Sequence, residues 1–408
     1  MHSLAQYKGL PKQVYILSVS RAVIAMGMMF VYPFLSLLLT SYLGYSELQA
    51  SYIVVICSLA AIMGTLAGGK LADAVGRKVV FVAASLIITC AMTLAGFLVR
   101  THAVIAFIIV SYFAVNAVLP TVSAMILDWT DTENKTECFS MMYLGSNIGG
   151  SLGPVLAGIL FYSHMPWIFF SMAIAFFLTL LLVCFFIKDV YVPGKAARGQ
   201  RASGAELKEE NLLKILLKNP VLLLFVLCLA LLTLCYINLD FMLPLQLSEL
   251  FGLNAGSKYS SLVWTINGVV VVACTPFIVS FTKKKHQLFN IGIACLLYAL
   301  GFGLYVFGRS LTVFMLAVVV WTSGEILIST GAGIFIADQT PPTHKGRSMA
   351  LYEFARGIGK LTGPLTSGFL LTKYTYGQAW FFIVLICLGV DLIMWCLYYK
   401  EAAGGGRR

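Results

Sequence analysis

The sequence predicts an all-α integral membrane protein whose twelve transmembrane helices form two pseudo-symmetric six-helix bundles. Apolar residues make up 60% of the 408 residues and charged residues only 11%, which leaves little material for a soluble domain. Uninterrupted apolar stretches repeatedly exceed the roughly 18 residues that mark a membrane-spanning helix. The chain also repeats itself, because residues 126–160 match residues 336–370 at a shift of 210 positions without a gap. These three observations predict the fold class.

The repeat preserves acidic, basic, glycine and proline positions as well as apolar ones. Chance composition is a poor explanation of such a match, so we infer a duplicated architecture. Parallel repeats related by an axis along the membrane normal are a known plan for secondary transporters. The matched pairs are Ile126/Ile336, Asp128/Asp338, Thr130/Thr340, Lys135/Lys345, Ile148/Ile358, Gly149/Gly359, Gly153/Gly363, Pro154/Pro364, Gly158/Gly368 and Leu160/Leu370.

Twelve apolar segments are long enough to be spans. The first follows a short basic segment but is too long for the core of a secretion signal, and no cleavage pattern of small residues follows it. We therefore retain it as a span. The predicted spans 1 to 12 lie at about 14–40, 48–72, 79–99, 103–127, 138–162, 166–187, 221–247, 258–281, 287–308, 311–337, 346–372 and 378–399.

Basic residues predict the orientation, because Lys and Arg in short loops are retained on the cytoplasmic side of the membrane. With both termini inside, only Arg100, Lys258, Arg309 and Lys373 fall on the outer side. We therefore expect a multi-pass protein of the cell membrane with both termini in the cytoplasm. The net charge of +11 is mainly a topology signal and gives little support to nucleic-acid binding.

The two sets of six spans predict an N-terminal bundle at 1–187 and a C-terminal bundle at 221–408. The segment between them, 188–220, is typical of a cytoplasmic linker, because charged, glycine and proline residues replace the apolar runs. Its second part, 205–218, has apolar residues at helical spacing and is predicted to lie along the membrane surface. No catalytic domain fits in so short a segment.

The residue types that carry enzyme or metal chemistry are not arranged for it. The ten cysteines lie inside or at the ends of spans without a C-x-x-C pair, and the five histidines are isolated. A glycine-rich nucleotide loop followed by Lys-Ser or Lys-Thr is also missing from the sequence. We expect no metal, no cofactor and no enzymatic activity.

The segment between spans 2 and 3 reads Gly69-Lys-Leu-Ala-Asp73-Ala-Val-Gly76-Arg77-Lys78. It resembles the loop signature G-x-L-x-D-x-x-G-R-[KR] of the major facilitator superfamily at every fixed position. Gly69 and Gly76 allow close packing and a tight turn, while Asp73 can meet a helix N-terminus and Arg77 a carboxylate. We predict that these residues form a cytoplasmic gate. A purely topological turn would explain the two basic residues but not Asp73.

The resemblance implies twelve helices in two six-helix domains. It also implies a central cavity lined chiefly by helices 1, 4, 7 and 10, with alternating access from the two sides of the membrane. The second half lacks the loop signature, since Lys283 stands at the position equivalent to Asp73. The first half is therefore predicted to carry the stronger gate. Asp128 or Glu353 is predicted to supply the carboxylate for Arg77.

Span 5 contains a pattern of glycine and proline, Gly145-Ser-Asn-Ile-Gly149-Gly150-Ser-Leu-Gly153-Pro154-Val-Leu-Ala-Gly158. It resembles the signature of the drug:proton antiporter branch, which implies export rather than import. Gly149, Gly153 and Gly158 form a smooth stripe for close helix approach, and Pro154 bends the helix. Generic membrane packing would use the same stripe, and the match lacks a second glycine before Gly158.

Ionisable residues inside spans are costly and are functional candidates by default. Asp240 in span 7 and Glu325 in span 10 are the best candidates for carrying protons, because the resemblance places both helices at the cavity. Asp240-Phe-Met-Leu-Pro244 and Gly324-Glu325-Ile326 also resemble motifs of multidrug antiporters, whose acids serve proton coupling and cation recognition. The alternative is that each acid simply pairs with Arg21 or with a polar neighbour.

Glu353, Arg356 and Lys360 project from one face of span 11, because they follow i, i+3 and i+7 spacing. We predict an ion pair between Glu353 and Arg356 near the cytoplasmic gate. Lys360 lies near the middle of the span, so it should pair with a carboxylate such as Glu325 or face an anionic part of the substrate. Asp391 in span 12 is expected to be structural.

Aromatic and sulfur-containing side chains could line an adaptable apolar cavity for several unlike ligands. Most aromatic residues in membrane helices face lipid or neighbouring helices instead, so packing is the alternative at every position. The predicted substrate-binding residues are Arg21, Met29, Tyr32, Tyr112, Tyr236, Phe241, Trp321, Glu325 and Lys360.

Together these patterns predict a proton-driven exporter of lipophilic or amphiphilic small molecules, of the multidrug efflux type. Protons and substrate would exchange at Asp240 and Glu325. The expected partners are a small-molecule substrate, protons and membrane lipid, with no nucleic acid, and we expect a monomer. Two alternatives on the same fold remain open: a lipid or glycolipid flippase, and a transporter of small organic anions bound by Arg21, Arg356 and Lys360.

Overall fold

The protein is α-helical throughout the part of the chain that the structure describes. The computed structural model describes residues 9–130, 134–188, 219–282, 285–339 and 345–404. Within these ranges we count twelve helices. They are α1 (Lys12–Tyr42), α2 (Glu47–Val75), α3 (Arg77–Phe97), α4 (Val104–Asp128), α5 (Lys135–Ser163), α6 (Pro166–Phe186), α7 (220–251), α8 (253–282), α9 (Gln287–Phe307), α10 (Leu311–Asp338), α11 (Lys345–Leu371) and α12 (Tyr376–Gly404).

Two of the helical runs, the one that contains α7 and α8 and the one that forms α1, depart from a regular helix. α7 and α8 belong to one helical run, Pro220–Thr282, which is interrupted at Gly252, where φ is 80° and ψ is 158°. α1 is α-helical over Lys12–Val31 and then changes to a 3-10 turn at Tyr32–Phe34. The change follows from Pro33, which has no backbone N–H to donate. Tyr32 therefore lies at a break in its helix.

Length and composition identify ten helical runs in the described residues as candidate membrane spans. This number agrees with twelve predicted spans for two reasons. The run Pro220–Thr282 counts once but contains α7 and α8, and α11 is not among the ten. In α11 the apolar sequence is interrupted by Glu353, Arg356 and Lys360, which lowers its hydropathy. The element with the weakest membrane signal is therefore the one with the most intramembrane charge.

The described residues form two compact units. The first contains α1 to α6, except residues 45–52, together with residues 253–265 of α8; the second contains residues 45–52 and the remainder of α7 to α12. The predicted surface helix at 205–218 lies outside the described residues. The domain boundaries that we predicted from the sequence remain predictions.

The glycine stripe of α5 packs against α1 in the first unit. A Cβ atom at Gly145 would lie 2.6 Å from the carbonyl oxygen of Ser18, and one at Gly149 would overlap the carbonyl oxygen of Ala22. A Cβ atom at Gly153 would lie 2.7 Å from the carbonyl oxygen of Met26. Only glycine lets the two backbones approach this closely. Three glycines of the antiporter-like motif thus form the contact between α5 and α1, the seam of this helix pair, whereas Gly158 packs against Ser261 of α8.

The second unit repeats this seam. Gly359 and Gly363 of α11, the partners of Gly149 and Gly153 in the sequence repeat, pack against α7. A Cβ atom at Gly359 would lie 2.5 Å from the carbonyl oxygen of Ala230, and one at Gly363 would lie 2.8 Å from Cγ2 of Ile237. The repeat therefore preserves a helix-packing surface. α11 differs from α5 in that it carries charged residues in addition to this shared packing surface.

We expect Gly149→Ala to destabilise the first unit, because the added methyl group meets the Ala22 carbonyl and forces α1 and α5 apart. Overpacking of this kind costs about 1–3 kcal/mol. Thermal unfolding of the purified protein in detergent measures the effect. Gly150→Ala is the matched control, because a Cβ atom at the neighbouring Gly150 would have nothing within 4 Å. Equal melting temperatures for the two variants would contradict the seam.

Candidate functional site

The carboxylate of Glu325 on α10 is held by neutral hydrogen-bond donors from two other helices. The hydroxyl of Tyr236 on α7 donates to Oε1 at 3.1 Å, and the amide Nδ2 of Asn267 on α8 donates to Oε2 at 2.7 Å. The same amide nitrogen lies 3.0 Å from Oγ1 of Thr322, one turn before Glu325. Both donors and Thr322 belong to the second unit. Among the residues that the structure describes, these neutral donors hold Glu325, and no ion pair to it is found.

A cavity of about 60 Å³ adjoins this cluster. That volume has room for several water molecules, since one needs roughly 10–15 Å³. Its wall combines apolar, aromatic, hydroxyl and charged side chains from α7, α9, α10 and α11. The lining residues are Leu229, Leu232, Thr233, Tyr236, Tyr298, Glu325, Ile328, Ser329, Tyr352 and Arg356. Two of the four helices, α7 and α10, are those that the family resemblance places at the cavity.

Asp240, the second predicted proton carrier, lies near Lys360. The two groups interact electrostatically, and Asp240 also interacts with Glu325. Lys360 is exposed, and its acidic neighbours are Glu353 and Asp240. The expected carboxylate neighbour of Lys360 is thus Asp240 or Glu353 rather than the example we gave, Glu325. That Lys360 faces an anionic part of the substrate remains a prediction.

Arg356 lies at the cavity wall with two neighbours of its own helix. Its Nη1 is 3.5 Å from Oε1 of Glu353, so the predicted i, i+3 ion pair is confirmed. Its guanidinium lies 5.4 Å from the ring centre of Tyr352, within the range of a cation–π contact. The side chains of Arg356 and Glu353 are 38% and 60% exposed, which leaves the pair accessible to water. A gating role for the pair remains a prediction.

The loop between α2 and α3 is fastened to the ends of two other helices in the first unit. Arg77 forms an ion pair with Asp128 at the end of α4, and its Nη1 donates to the carbonyl oxygen of Ala124 at 2.6 Å. Of the two carboxylates that we predicted for Arg77, the structure shows the pair with Asp128. Lys78 donates to the carbonyl oxygens of Cys184 and Ile187 at 2.9 and 2.6 Å, which caps the C-terminus of α6.

The remaining residues of this loop behave differently from one another. Gly76 has a φ of 107°, in the region that favours glycine, and it separates α2 from α3. Asp73 is exposed. A Cβ atom at Gly69 would have nothing within 4 Å, so the described part of the chain does not show the close packing that we predicted there. The gate function assigned to these residues remains a prediction.

Four predicted substrate-binding residues, Arg21, Met29, Tyr32 and Tyr112, belong to the first unit. Tyr32 and Tyr112 stack on each other with ring centres 4.1 Å apart. Cβ of Met29 lies at the seam with Gly153, so this residue packs between helices at least in part. Arg21 is partly exposed on α1. A role of these four residues in substrate binding remains a prediction.

Two other predicted contacts lie in the core of the second unit. Phe241 is 2% exposed and Trp321 is fully buried, with its indole Nε1 donating to the hydroxyl of Tyr305 at 2.8 Å. Neither lines the cavity beside Glu325. Trp321 packs against the edge of Tyr236, with ring centres 5.9 Å apart, and so supports a lining residue from behind. Their substrate-contact assignment has no support in this arrangement.

Sequence reasoning did not single out the neutral residues of the site. Asn267, Thr322, Thr233 and Ser329 are neither ionisable nor aromatic nor sulfur-containing, and those were the residue types that pointed to a site in the sequence. A signal was present for Asn267, since its amide interrupts the apolar run of α8. An amide inside a membrane helix also needs a hydrogen-bond partner. Thr322 precedes Glu325 by three residues and therefore lies on the same face of α10.

Comparison with known proteins decides the family. The sequence profile of the Major Facilitator Superfamily matches residues 17–333 and, in a second match, residues 291–407. The chain belongs to the major facilitator superfamily. Together these matches cover nearly the whole chain, including the loop motif of α2 and α3 and the acids of α7 and α10. The protein is therefore a secondary transporter rather than an enzyme.

Curated relatives of this family are distant but extend over most of the chain. The uncharacterized MFS-type transporter YhjO of Bacillus subtilis (strain 168) is 27% identical over 365 residues, covering 87% of this chain and 85% of its own. A Na(+), Li(+), K(+)/H(+) antiporter of Planococcus maritimus is 24% identical, covering 87% and 88%. The multidrug resistance protein MdtG of Proteus mirabilis (strain HI4320) is 23% identical, covering 77% of each.

Solved structures of the family share the fold. A mutant of the nucleoside transporter NupG superimposes with a TM-score of 0.78 at 14% identity, covering 94% of this chain and 99% of its own. The peptide transporter POT in complex with sulfate has a TM-score of 0.77 at 17% identity, covering 96% and 95%. At such low identity the likeness establishes the fold alone. The substrate must be inferred from the site.

Proposed function

We propose that this protein is a proton-coupled secondary transporter that exports lipophilic or amphiphilic small molecules by alternating access. One observation carries the proposal: Glu325, an acid inside a membrane helix, is held at the wall of a cavity formed largely by apolar and tyrosine side chains. A carboxylate inside a membrane helix is costly and is therefore a functional candidate by default. The role that fits a secondary transporter is exchange of a proton for substrate.

The hydrogen bonds of Glu325 support an exchange mechanism. Tyr236 and Asn267 both donate, so the charged carboxylate needs no permanent counter-ion. A proton on Oε2 would face the amide group of Asn267, so the carboxyl group would have to turn or lose that bond. Substrate arriving in the cavity can take up the charge instead. Occupancy by the proton and by the substrate would then alternate, with Asp240 and Lys360 as a nearby second charge pair.

The direction of transport and the substrate class draw on resemblance as well as on the site. The α5 motif resembles the drug:proton antiporters, and two relatives at 22–23% identity are named multidrug resistance protein MdtG. The aromatic wall of Tyr236, Tyr298 and Tyr352 suits organic molecules with flat apolar parts. These observations favour an exporter of the multidrug type. The distribution of basic residues favours both termini in the cytoplasm of the cell.

Inverted membrane vesicles test this proposal. Acidifying the vesicle interior should drive accumulation of a fluorescent lipophilic dye in vesicles that contain the protein, because protons leave as dye enters. Dissipating the pH gradient with nigericin should release the dye. Vesicles prepared without the protein provide the background. Accumulation that is independent of the pH gradient would contradict proton coupling, and accumulation driven only by the opposite gradient would contradict the exchange of protons for dye.

Exchange of inorganic cations for protons is a second candidate, favoured by the relative named a Na(+), Li(+), K(+)/H(+) antiporter. The same carboxylate would serve, since Glu325 and Thr322 offer side-chain oxygens to a small cation. Adding NaCl to the same acidified vesicles without dye would then collapse the pH gradient. A gradient that is insensitive to NaCl, LiCl and KCl would exclude this candidate.

A further inference from the structure

The cavity beside Glu325 contains two opposite charges that have different partners. Glu325 accepts hydrogen bonds from Tyr236 and Asn267, whereas Arg356 pairs with Glu353 at 3.5 Å. Glu325 and Arg356 influence each other electrostatically and line the same cavity. No ion pair of 4.0 Å or less joins them in the described part of the chain. The wall of the cavity therefore contains an acid and a base that are not paired with each other.

Both groups retain hydrogen-bonding capacity for a ligand. A carboxylate has about four lone-pair sites, and a guanidinium has five N–H donors. Two donors occupy Glu325, and one ion pair occupies Arg356. A ligand that enters can thus gain a charge-assisted hydrogen bond at each end of the cavity.

The charges around the cavity disfavour ligands that carry one sign only. A cation at Glu325 meets the nearby positive charge of Arg356, and Lys360 adds a second positive charge beside Asp240. An anion at Arg356 meets the negative charges of Glu325 and Glu353. A ligand with both charges satisfies the acid and the base together and avoids both repulsions.

The rest of the wall indicates the body of the ligand. Tyr236, Tyr298 and Tyr352 present aromatic surfaces, and Leu229, Leu232 and Ile328 present apolar ones. The rings of Tyr236 and Tyr298 are close to parallel, at 25°, with centres 6.3 Å apart. The chemistry of this wall suits a ring or a branched alkyl group next to the two charged groups, and the cavity of about 60 Å³ must widen to admit one.

We propose that this cavity recognises small zwitterions with an aromatic or branched apolar body, with the ligand's ammonium group at Glu325 and its carboxylate at Arg356. The inference rests on the proposed transport function and specifies the substrate class of that same site. It assigns Arg356 as a substrate-binding residue in addition to its pairing with Glu353. It also makes Thr233 and Ser329 candidates for hydrogen bonds to the ligand's polar groups.

Three related probes test the proposal on the full-length protein in detergent. They are phenylalanine, its methyl ester, which carries only the positive charge, and N-acetylphenylalanine, which carries only the negative charge. Thermal stabilisation by ligand reports affinity without transport. Phenylalanine should stabilise the protein at a concentration about tenfold lower than either derivative, because it makes one more charge-assisted hydrogen bond.

Two substitutions should separate the ends of the site. Glu325→Gln should remove stabilisation by the methyl ester and weaken that by phenylalanine, and Arg356→Gln should do the same for N-acetylphenylalanine and phenylalanine. Arg309→Gln is the matched control, because Arg309 is exposed between α9 and α10 and does not line the cavity. It should leave all three responses unchanged.

Other results of the stabilisation experiment would overturn the proposal. Stabilisation by the methyl ester equal to that by phenylalanine would indicate a cation site, and the same result for N-acetylphenylalanine would indicate an anion site; either overturns the proposal. Absence of stabilisation by all three probes would also overturn it. The vesicle experiment reads proton coupling independently. Coupled dye transport without zwitterion binding defeats this inference alone, whereas zwitterion binding without coupled transport defeats the proposed function alone.

Discussion

Glu325→Gln should abolish dye accumulation driven by a pH gradient, reducing it to the level of vesicles without the protein. Glutamine keeps the size of the side chain, and its one carbonyl oxygen can accept from Tyr236 or from Asn267, while its NH2 group, like a protonated Oε2, cannot accept from the other donor. What is lost is the group that binds and releases the proton. Because the coupled step depends on that charge change, the effect should be a loss of coupling rather than a modest decrease in rate.

Asp391→Asn is the matched control for this substitution. Asp391 is also a carboxylate inside a membrane span and is only 7% exposed, but it lies on α12 and does not line the cavity. We expect that variant to transport dye with unchanged dependence on the pH gradient. Asp240→Asn, near Lys360, should reduce coupling, and the double variant with Glu325→Gln should show none. A double variant with unchanged gradient dependence would refute the assignment of both acids.

Breaking the ion pair between Arg77 and Asp128 should give the second large effect. The pair is partly buried, with side chains 13% and 23% exposed, and it joins the α2–α3 loop to the end of α4. Hydrogen bonds between charged groups contribute about 1.5–3 kcal/mol, enough to shift a two-state equilibrium roughly tenfold or more. Asp128→Asn should therefore reduce coupled transport by about tenfold. Initial rates of dye uptake in the vesicles measure it.

Swapping the charges of Arg77 and Asp128 shows whether transport needs their ion pair or only each residue by itself. The double variant Arg77→Asp with Asp128→Arg should recover part of the activity that each single variant loses. Recovery should be incomplete, because an aspartate at position 77 cannot donate to the carbonyl oxygen of Ala124. Lys78→Ala should mainly lower thermal stability, since Lys78 caps α6. Activity of Asp128→Asn equal to that of the unaltered protein would show that the pair has no gating role.

Much of the fold follows from the sequence because the membrane restricts the choices. Long apolar segments must satisfy their backbone polar groups within one helix, so their length and spacing predict the helices directly. The repeat at 210 positions also predicts that α5 and α11 share a packing surface, and both use equivalent glycines against α1 and α7. The boundary between α7 and α8 is harder to predict, because the chain is helical on both sides of a single interrupting residue, Gly252.

The site is less predictable because it depends on which side chains meet across helices. Helical spacing places Glu353 and Arg356 together correctly, since both lie on one element. The neighbours of Lys360 cannot be derived in this way, and neither can the amide of Asn267 that reaches Glu325 from α8. Family resemblance places α10 at the cavity but does not show which of its side chains face it. Trp321 lies in the core, whereas Glu325, four residues later, lines the cavity.

Release of protons on substrate binding tests the central claim most directly. The purified protein is kept in weakly buffered detergent solution with a pH indicator, and a saturating ligand is added with no membrane gradient. If substrate and proton exchange at Glu325, the unaltered protein should release protons and acidify the solution, and Glu325→Gln should release fewer or none. Binding of the ligand without proton release by the unaltered protein, or equal release by both proteins, would contradict this account.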